Sequence, residues 1–235
     1  MRIPLTRFGL PQVLIYPLLV LALALILFAV IKPKCVLLPV EIILFLVFCW
    51  MLSFFRDPLR NISFDGKLLL SPADGTITDI SYADDGVPGE DGFPVRSLKI
   101  GMFLSIFNVH INRVPCDVRI EKVTYKKGQF KNAMASDAGR VNEANEVLMI
   151  RLGEPKDRLL VRQISGAIAR RIVCEAREAA EYRQGEPFGM IKFGSRTELY
   201  VPVSGDSRPG GGYDVAVKIG DKVNAGVSPL VVYRP

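Results

Sequence analysis

Residues 98–106 read Leu-Lys-Ile-Gly-Met-Phe-Leu-Ser-Ile, with an apolar side chain at every second position. This two-residue period predicts a half-buried β-strand, because successive side chains on a strand point to opposite faces of the sheet. Further along the chain, residues 146–152 and 158–164 flank the turn cluster Gly-Glu-Pro-Lys-Asp. Two apolar runs separated by such a cluster predict a β-hairpin.

The C-terminal third repeats these signals. Residues 190–203 alternate again, so we expect one strand with Ser195 pointing inward and Gly194 in mid-strand, where glycine often marks a bulge. Residues 215–223 suggest a second hairpin around Gly-Asp, and the chain ends in the apolar run 229–233. A Gly/Pro-rich stretch over 204–212 predicts a loop. The one helical candidate is 174–182, which is rich in Ala, Glu and Arg.

Two segments look like copies of one strand-to-turn unit, residues 71–77 and 217–223. The second resembles the Gly-Asp-x-Val turn of lipoyl and biotinyl carrier domains. It lacks the exposed lysine between small or Met residues that a carrier needs, so the turn supports a fold and not a function. The fold class we expect is a mainly β catalytic domain with lipoyl-like, barrel-sandwich hairpins.

The N-terminus is different in character. From Leu14 to Ile31 there are 18 residues without a charge, and from Cys35 to Phe55 there are 21 whose only charge is Glu41. Each run is about long enough to span a bilayer as a helix. We expect residues 1–55 to form an α-helical membrane hairpin and residues 56–235 to form the β domain. Basic residues on both flanks place both ends in the cytoplasm by the positive-inside rule.

Composition excludes several classes of protein. The 235 residues carry a net charge of +6, which is too weak to argue for nucleic-acid binding. Four cysteines without a Cys-x-x-Cys pair, together with one histidine, exclude a Cys/His zinc site and a metallopeptidase of the lipoyl-like type, so we expect no metal. Cys35 and Cys49 lie in the apolar runs, so a disulfide framework is not expected either.

Five blocks of sequence carry a family resemblance. Phe-Gly-Met-Ile-Lys-Phe-Gly-Ser-Arg (188–196) resembles the C-terminal signature of phosphatidylserine decarboxylase proenzymes, in which a Gly-Ser bond is cut autocatalytically. Ser-Pro-Ala-Asp-Gly (71–75) is similar to the Pro-Ala-Asp-Gly motif of that family, and residues 103–115 are similar to the stretch that carries its histidine. Residues 128–133 and 168–173 also fit. The resemblance is greatest to the short bacterial branch, including the archaetidylserine-type relatives.

The resemblance implies a self-processing, pyruvoyl-dependent carboxy-lyase. Cleavage between Gly194 and Ser195 would give a β chain of residues 1–194 and an α chain of residues 195–235, a heterodimer that could assemble further. The cofactor would be a covalent pyruvoyl group derived from Ser195, which forms a Schiff base with the serine amine of phosphatidylserine. Loss of CO2 would then yield phosphatidylethanolamine. The enzyme would act on a phospholipid of the cell membrane, with its catalytic domain on the cytoplasmic side.

The resemblance also suggests roles for single residues. A serine hydroxyl needs a base, and His110 is the only histidine, so His110 would activate Ser195 with Asp74 orienting its ring. His110 is also the candidate that reprotonates the product. Longer family members have a second histidine three residues on, where this chain has Arg113. Arg170, Arg171 and Arg113 are candidates for binding the substrate carboxylate or phosphodiester.

Two alternatives stay open at this stage. One is a membrane-tethered β-domain adaptor or scaffold that remains a single chain. The other is a serine hydrolase that uses Ser195, His110 and Asp74 without cleavage, although the Gly-x-Ser-x-Gly elbow is absent around Ser195.

Overall fold

Two apolar helices begin the chain in the computed structural model, which describes residues 5–89, 93–135, 138–167, 171–192, 194–203 and 212–234. The chain divides into two compact units, Met1–Leu59 and Arg60–Pro235. In the first unit, a 3₁₀ turn (Arg7–Gly9) leads into α1 (Leu10–Val30), and α2 (Lys34–Phe54) follows. Both helices are long and apolar enough to cross a membrane, as the sequence predicts.

The second unit is built from strands. Its elements within the described residues are β1 (Leu68–Leu70), β2 (Gly75–Pro88), β3 (Pro94–Leu104), β4 (Ile111–Arg113), β5 (Val118–Lys126), the short helix α3 (Ala138–Val141), β6 (Ala144–Arg151), β7 (Arg158–Ile164), β8 (Arg171–Cys174), β9 (Glu181–Tyr182), β10 (Pro187–Lys192), β11 (Ser195–Pro202), β12 (Tyr213–Val215), β13 (Lys222–Val223) and β14 (Pro229–Tyr233).

These strands form three antiparallel sheets. The largest has the order β13-β2-β3-β11-β7-β6-β5-β9, so β3 and β11 lie at its centre. Two three-stranded sheets have the orders β4-β10-β8 and β1-β14-β12. The main apolar core draws buried side chains from all three sheets, among them Leu69, Ile100, Met102, Val161, Phe188, Leu199 and Val231.

The strand with which the sequence analysis began is confirmed. Leu98, Ile100, Met102 and Leu104 are all buried on β3. The hairpin predicted around the Gly-Glu-Pro-Lys-Asp turn is also confirmed, since β6 and β7 pair along their length from Ala144↔Ile164 to Ile150↔Arg158. The mainly β fold after a helical hairpin therefore stands.

The single strand expected over 190–203 is wrong in one important respect. β10 ends at Lys192 and pairs with β4 and β8, whereas β11 begins at Ser195 and pairs with β3 and β7. The chain therefore changes sheets at Gly194. Alternation could not reveal this, because the residues on both sides of the break are buried and the pattern continues through it.

Two smaller expectations are also wrong. Residues 175–180 form no helix: Glu175 N donates to Phe188 O at 2.8 Å and Ala179 N donates to Ile120 O at 2.9 Å, so neighbouring segments take the backbone groups that a helix would use. β12 and β13 do not pair with each other, because β12 joins β14 and β13 joins β2. Most of the predicted loop 204–212 lies outside the described residues.

Candidate active site

The change of sheets at Gly194 creates an unusual peptide. Gly194 has a φ of +61°, a conformation that residues with a Cβ rarely adopt. Its carbonyl packs closely against Gly166, because a Cβ built on Gly166 would collide with the Gly194 carbonyl oxygen. Glycine is therefore required twice, once to turn the chain and once to make room for the carbonyl.

Ser195 follows as the first residue of β11 and is completely buried. Its backbone lies in register with Leu104 of β3. Its Oγ is buried and has no hydrogen-bond partner among the described residues. Buried hydroxyls are normally satisfied, so an unsatisfied one beside a positive-φ glycine makes Ser195 a candidate for a chemical role.

His110 lies immediately before β4 and is also completely buried. Its Nδ1 is 2.9 Å from the carbonyl oxygen of Asn108. A carbonyl oxygen only accepts hydrogen bonds, so Nδ1 carries the proton, and a neutral ring then keeps its lone pair on Nε2. The backbone carbonyl of His110 accepts a hydrogen bond from Ile191 N at 3.2 Å, four residues before Ser195.

Asp74 has other partners in this structure. Both carboxylate oxygens lie 2.9 Å from Arg60 Nη2, and Oδ1 also accepts from Ala225 N at 2.8 Å. Asp74 would have to bond a ring nitrogen of His110 to orient it, and Nδ1 is held here by the Asn108 carbonyl. The orienting role of Asp74 therefore stays a prediction.

A buried polar network connects the histidine strand to the serine strand. Asn112, two residues after His110, donates from Nδ2 to Thr197 Oγ1 at 3.0 Å, and Thr197 is two residues after Ser195. Gln163 on β7 donates to Asn112 Oδ1 at 2.9 Å. All three side chains are fully buried. Because the network is satisfied, it fixes the two strands relative to one another.

The five sequence blocks converge on this region. The carbonyl of Pro72, in the second block, accepts hydrogen bonds from Arg113 N at 3.0 Å and from Asn112 Nδ2 at 3.3 Å. Ala133, in the fourth, lies beside Gly166 next to the Gly194 carbonyl. The fifth contributes β8, which pairs with β10 from Gly189↔Cys174 to Lys192↔Arg171.

A pair of cationic residues lies close to the Gly194-Ser195 bond: Lys192, two residues before Gly194, and Arg171, its partner on the neighbouring strand. Lys192 is buried and lies opposite Arg171, which is exposed. Burial, followed by the charge of Arg171, lowers the pKa of Lys192. The sequence analysis did not single out Lys192, although its place inside the 188–196 block could have suggested it.

The other two candidate arginines differ from Arg171. Arg113 is buried, and its Nη1 donates to the Gly185 carbonyl at 2.9 Å. Arg170 lies outside the described residues. A role of either residue in substrate binding stays a prediction.

Cysteine thiols and metal-binding clusters are the other features that could carry chemistry in the described residues. The four cysteines are free, and burial raises the pKa of Cys116 to about 12, so this thiol is protonated at neutral pH. Across the same residues, no cluster of three or more His, Cys, Asp or Glu side chains could hold a metal ion.

Comparisons with known proteins give matches over most of the chain. A family model described as phosphatidylserine decarboxylase matches residues 47–230. A protein of Wolbachia pipientis wMel is 40% identical over 162 residues, which cover 69% of this chain and 70% of the relative. One of Neisseria meningitidis serogroup C (strain 053442) is 40% identical over 184 residues, 78% of this chain and 63% of the relative. A third, of Syntrophus aciditrophicus (strain SB), is 38% identical over 187 residues, 77% of this chain and 78% of the relative. All three are named phosphatidylserine decarboxylase proenzyme.

Proposed function

Since the chain belongs to the phosphatidylserine decarboxylase family and is therefore an enzyme of that family, we propose that it cuts itself between Gly194 and Ser195 and then converts phosphatidylserine to phosphatidylethanolamine and CO2. Because the chain belongs to this family, the alternatives of a non-catalytic scaffold and of a serine hydrolase are no longer needed. The observation that carries the proposal is the peptide at the junction of β10 and β11, where a positive-φ glycine with its carbonyl against Gly166 precedes a buried, unsatisfied serine hydroxyl.

Self-cleavage follows from the chemistry of these two residues. Ser195 Oγ attacks the Gly194 carbonyl carbon, and the C–N bond breaks as the acyl group moves from nitrogen to oxygen. Loss of the Ser195 α-proton then expels the Gly194 carboxylate and leaves dehydroalanine. Water converts the dehydroalanine to a pyruvoyl group and releases ammonia. Gly194 becomes the C-terminus of the β chain, and the pyruvoyl group becomes the N-terminus of the α chain.

His110 is our candidate for the base. The Asn108 carbonyl holds the proton on Nδ1, so Nε2 is the nitrogen that can accept the Ser195 hydroxyl proton. Ser195 makes no hydrogen bond to His110 in this structure, and contacts of this kind often tighten only during reaction. Asp74 remains a candidate catalytic residue, because it lies two residues after Pro72, which is bonded to the histidine strand.

The pyruvoyl group would take the place of Ser195: Oγ would leave with the Gly194 carboxylate, and the ketone oxygen would come from water. The site fits this change, because the buried Oγ is bonded to no described residue and its departure breaks no hydrogen bond. When present, that carbonyl supplies an electron sink for decarboxylation. Around it, Arg171 and Lys192 offer positive charge for the carboxylate or phosphodiester of the substrate, and His110 can return a proton to the product carbon.

The two products of cleavage should remain one enzyme. The α chain contributes β11, which lies between β3 and β7 of the β chain, and β14, which pairs with β1. The backbone hydrogen bonds between these strands would hold the α and β chains together as a heterodimer.

We also propose that the domain lies on the cytoplasmic side of the cell membrane. Arg2 and Arg7 precede the two apolar helices, and Arg56 and Lys67 follow them. This distribution favours a hairpin with both ends in the cytoplasm.

The test is a decarboxylation assay on the full chain in detergent–lipid micelles, with phosphatidylserine labelled in the serine carboxyl group. We expect labelled CO2 from the wild type, none from Ser195→Ala, and inhibition by hydroxylamine, which reacts with carbonyl groups. Equal CO2 release by both proteins would refute a role for Ser195, and no release by fully cleaved wild type would refute the activity.

A further inference from the structure

Two loops expose apolar side chains beside the Gly194-Ser195 bond. Phe107, in the loop between β3 and β4, is 69% exposed, and Met134, in the loop after β5, is 61% exposed. Phe130 on the second loop is 38% exposed. We call Phe107, Phe130 and Met134 the loop-tip patch.

Contacts around Gly194 bring the two loops to the same place. A Cβ built on Gly194 would lie 3.9 Å from Ile106, the neighbour of Phe107. Gly166, which packs against the Gly194 carbonyl, is also adjacent to Ala133, the neighbour of Met134. The bases of both loops therefore border the candidate cleavage site, and their tips point to solvent.

The surroundings of the patch are basic. Lys127 and Lys131 are exposed on either side of Phe130 in the same loop. Lys126 is also exposed but is paired with Glu146 at 2.7 Å. Apolar tips flanked by lysines match the interface of an anionic bilayer, where side chains enter the headgroup region and cations meet lipid phosphates.

The patch is too small for a stable protein partner. An aromatic side chain buries about 150–250 Å², so three side chains of this size would cover at most roughly 450–750 Å² on one partner, and these three are only partly exposed. A specific protein interface needs about 800 Å² per partner. A lipid surface has no such minimum, because each inserted side chain contributes on its own.

We propose that the loop-tip patch inserts into the headgroup region of an anionic phospholipid bilayer and so holds the active site against the membrane that contains its substrate. The inference rests on the proposed function for its choice of substrate. It concerns the catalytic domain itself and adds a second membrane contact to the apolar helices.

The experiment uses fluorescence of the full chain in vesicles of phosphatidylglycerol and phosphatidylcholine with brominated acyl chains, which quench indole at close range. Trp50 is the only tryptophan, so Trp50→Phe gives a silent background. Phe107→Trp reports on the patch. Phe93→Trp is a matched control, because Phe93 is 71% exposed and precedes the opposite end of β3, a strand about 33 Å long at 3.3 Å per residue.

We expect the indole at position 107 to be quenched at least about threefold more than the indole at position 93. Lys127→Gln with Lys131→Gln should reduce that difference. Equal quenching at both positions, or none at position 107, would overturn the proposal, and so would a blue shift at position 107 that is independent of lipid, which would indicate a protein partner. Repeating the measurement in Ser195→Ala separates the result from self-cleavage and decarboxylation, since the uncut chain has the same loops.

Discussion

Gly166 is a position at which the candidate site has no room for a side chain. A methyl group added to its α-carbon would collide with the Gly194 carbonyl oxygen. Because this oxygen belongs to the backbone, it cannot rotate away as a flexible side chain would. We therefore expect Gly166 to be a positioning residue for the proposed self-cleavage, although it lies 28 positions before Gly194 in the chain.

Gly166→Ala should slow self-cleavage by roughly tenfold or more, since a loss of about 1.4 kcal/mol in positioning the carbonyl corresponds to that factor. The measurement is the fraction of cut chain over time on a denaturing gel. Gly66→Ala is the control, because nothing lies within 4 Å of its added methyl group. Identical time courses for the two variants would remove Gly166 from the mechanism.

A second prediction at the scale of the residue concerns substrate binding by Arg171 and Lys192. If the cationic pair binds the substrate headgroup, Arg171→Gln and Lys192→Gln should each raise the apparent KM for phosphatidylserine by about tenfold while self-cleavage proceeds. We expect the same effect from the double variant Arg170→Gln with Arg171→Gln. Arg177→Gln, on an exposed turn after β8, is a suitable control. Unchanged kinetics in the Arg171 and Lys192 variants would exclude the pair from substrate binding.

At the scale of the element, β11 is fixed at its start by an ion network. Arg196 donates from Nε to Glu198 Oε1 and from Nη1 to Thr78 Oγ1, both at 2.8 Å, and it also pairs with Asp79. Burial raises the pKa of Asp79, but the charges of Arg196 and Lys99 outweigh it and hold the pKa below its usual range. The network connects β11 to β2 one residue after the cleavage site.

The sign of the pH effect follows from that shift. An acid whose native pKa is below its unfolded pKa of about 4 stabilises the fold at pH values above that unfolded pKa. This contribution is lost as the pH falls through the native pKa. We expect the melting temperature of the wild type to fall more steeply below about pH 4 than that of Asp79→Asn. Parallel curves for the two proteins would show that Asp79 is not stabilised by its partners.

Several individual strands were predictable from sequence, and their arrangement was not. β3 follows from a two-residue period, which reports burial of one face, and β6 and β7 follow from two apolar runs around a turn cluster. The break at Gly194 and the absence of a helix at 175–180 depend on which sheet receives each segment, and local periodicity does not contain that information.

The candidate site divides in the same way. Ser195 and His110 could be named from motifs, because the chemistry requires those residue types. Gly166 and Asn112 could not, since their roles come from contacts between distant parts of the chain: Gly166 against Gly194, and Asn112 against Thr197.

At the scale of the whole molecule, cleavage should leave the β domain assembled. The α chain supplies β11 and β14, each paired with strands of the β chain. We expect the two chains to co-elute on size-exclusion chromatography in detergent and to separate only in denaturant. Loss of the small chain under native conditions would contradict the idea that the sheet ladders hold the two chains together.

The central claim is that Gly194-Ser195 is a self-cleaving bond, and intact-mass spectrometry of the purified full chain beside Ser195→Ala tests it most directly. The account predicts two wild-type chains, residues 1–194 and residues 195–235, with the smaller one carrying an N-terminal pyruvoyl group in place of serine. Ser195→Ala should remain a single chain. A folded wild type that stays one chain of 235 residues would contradict the account.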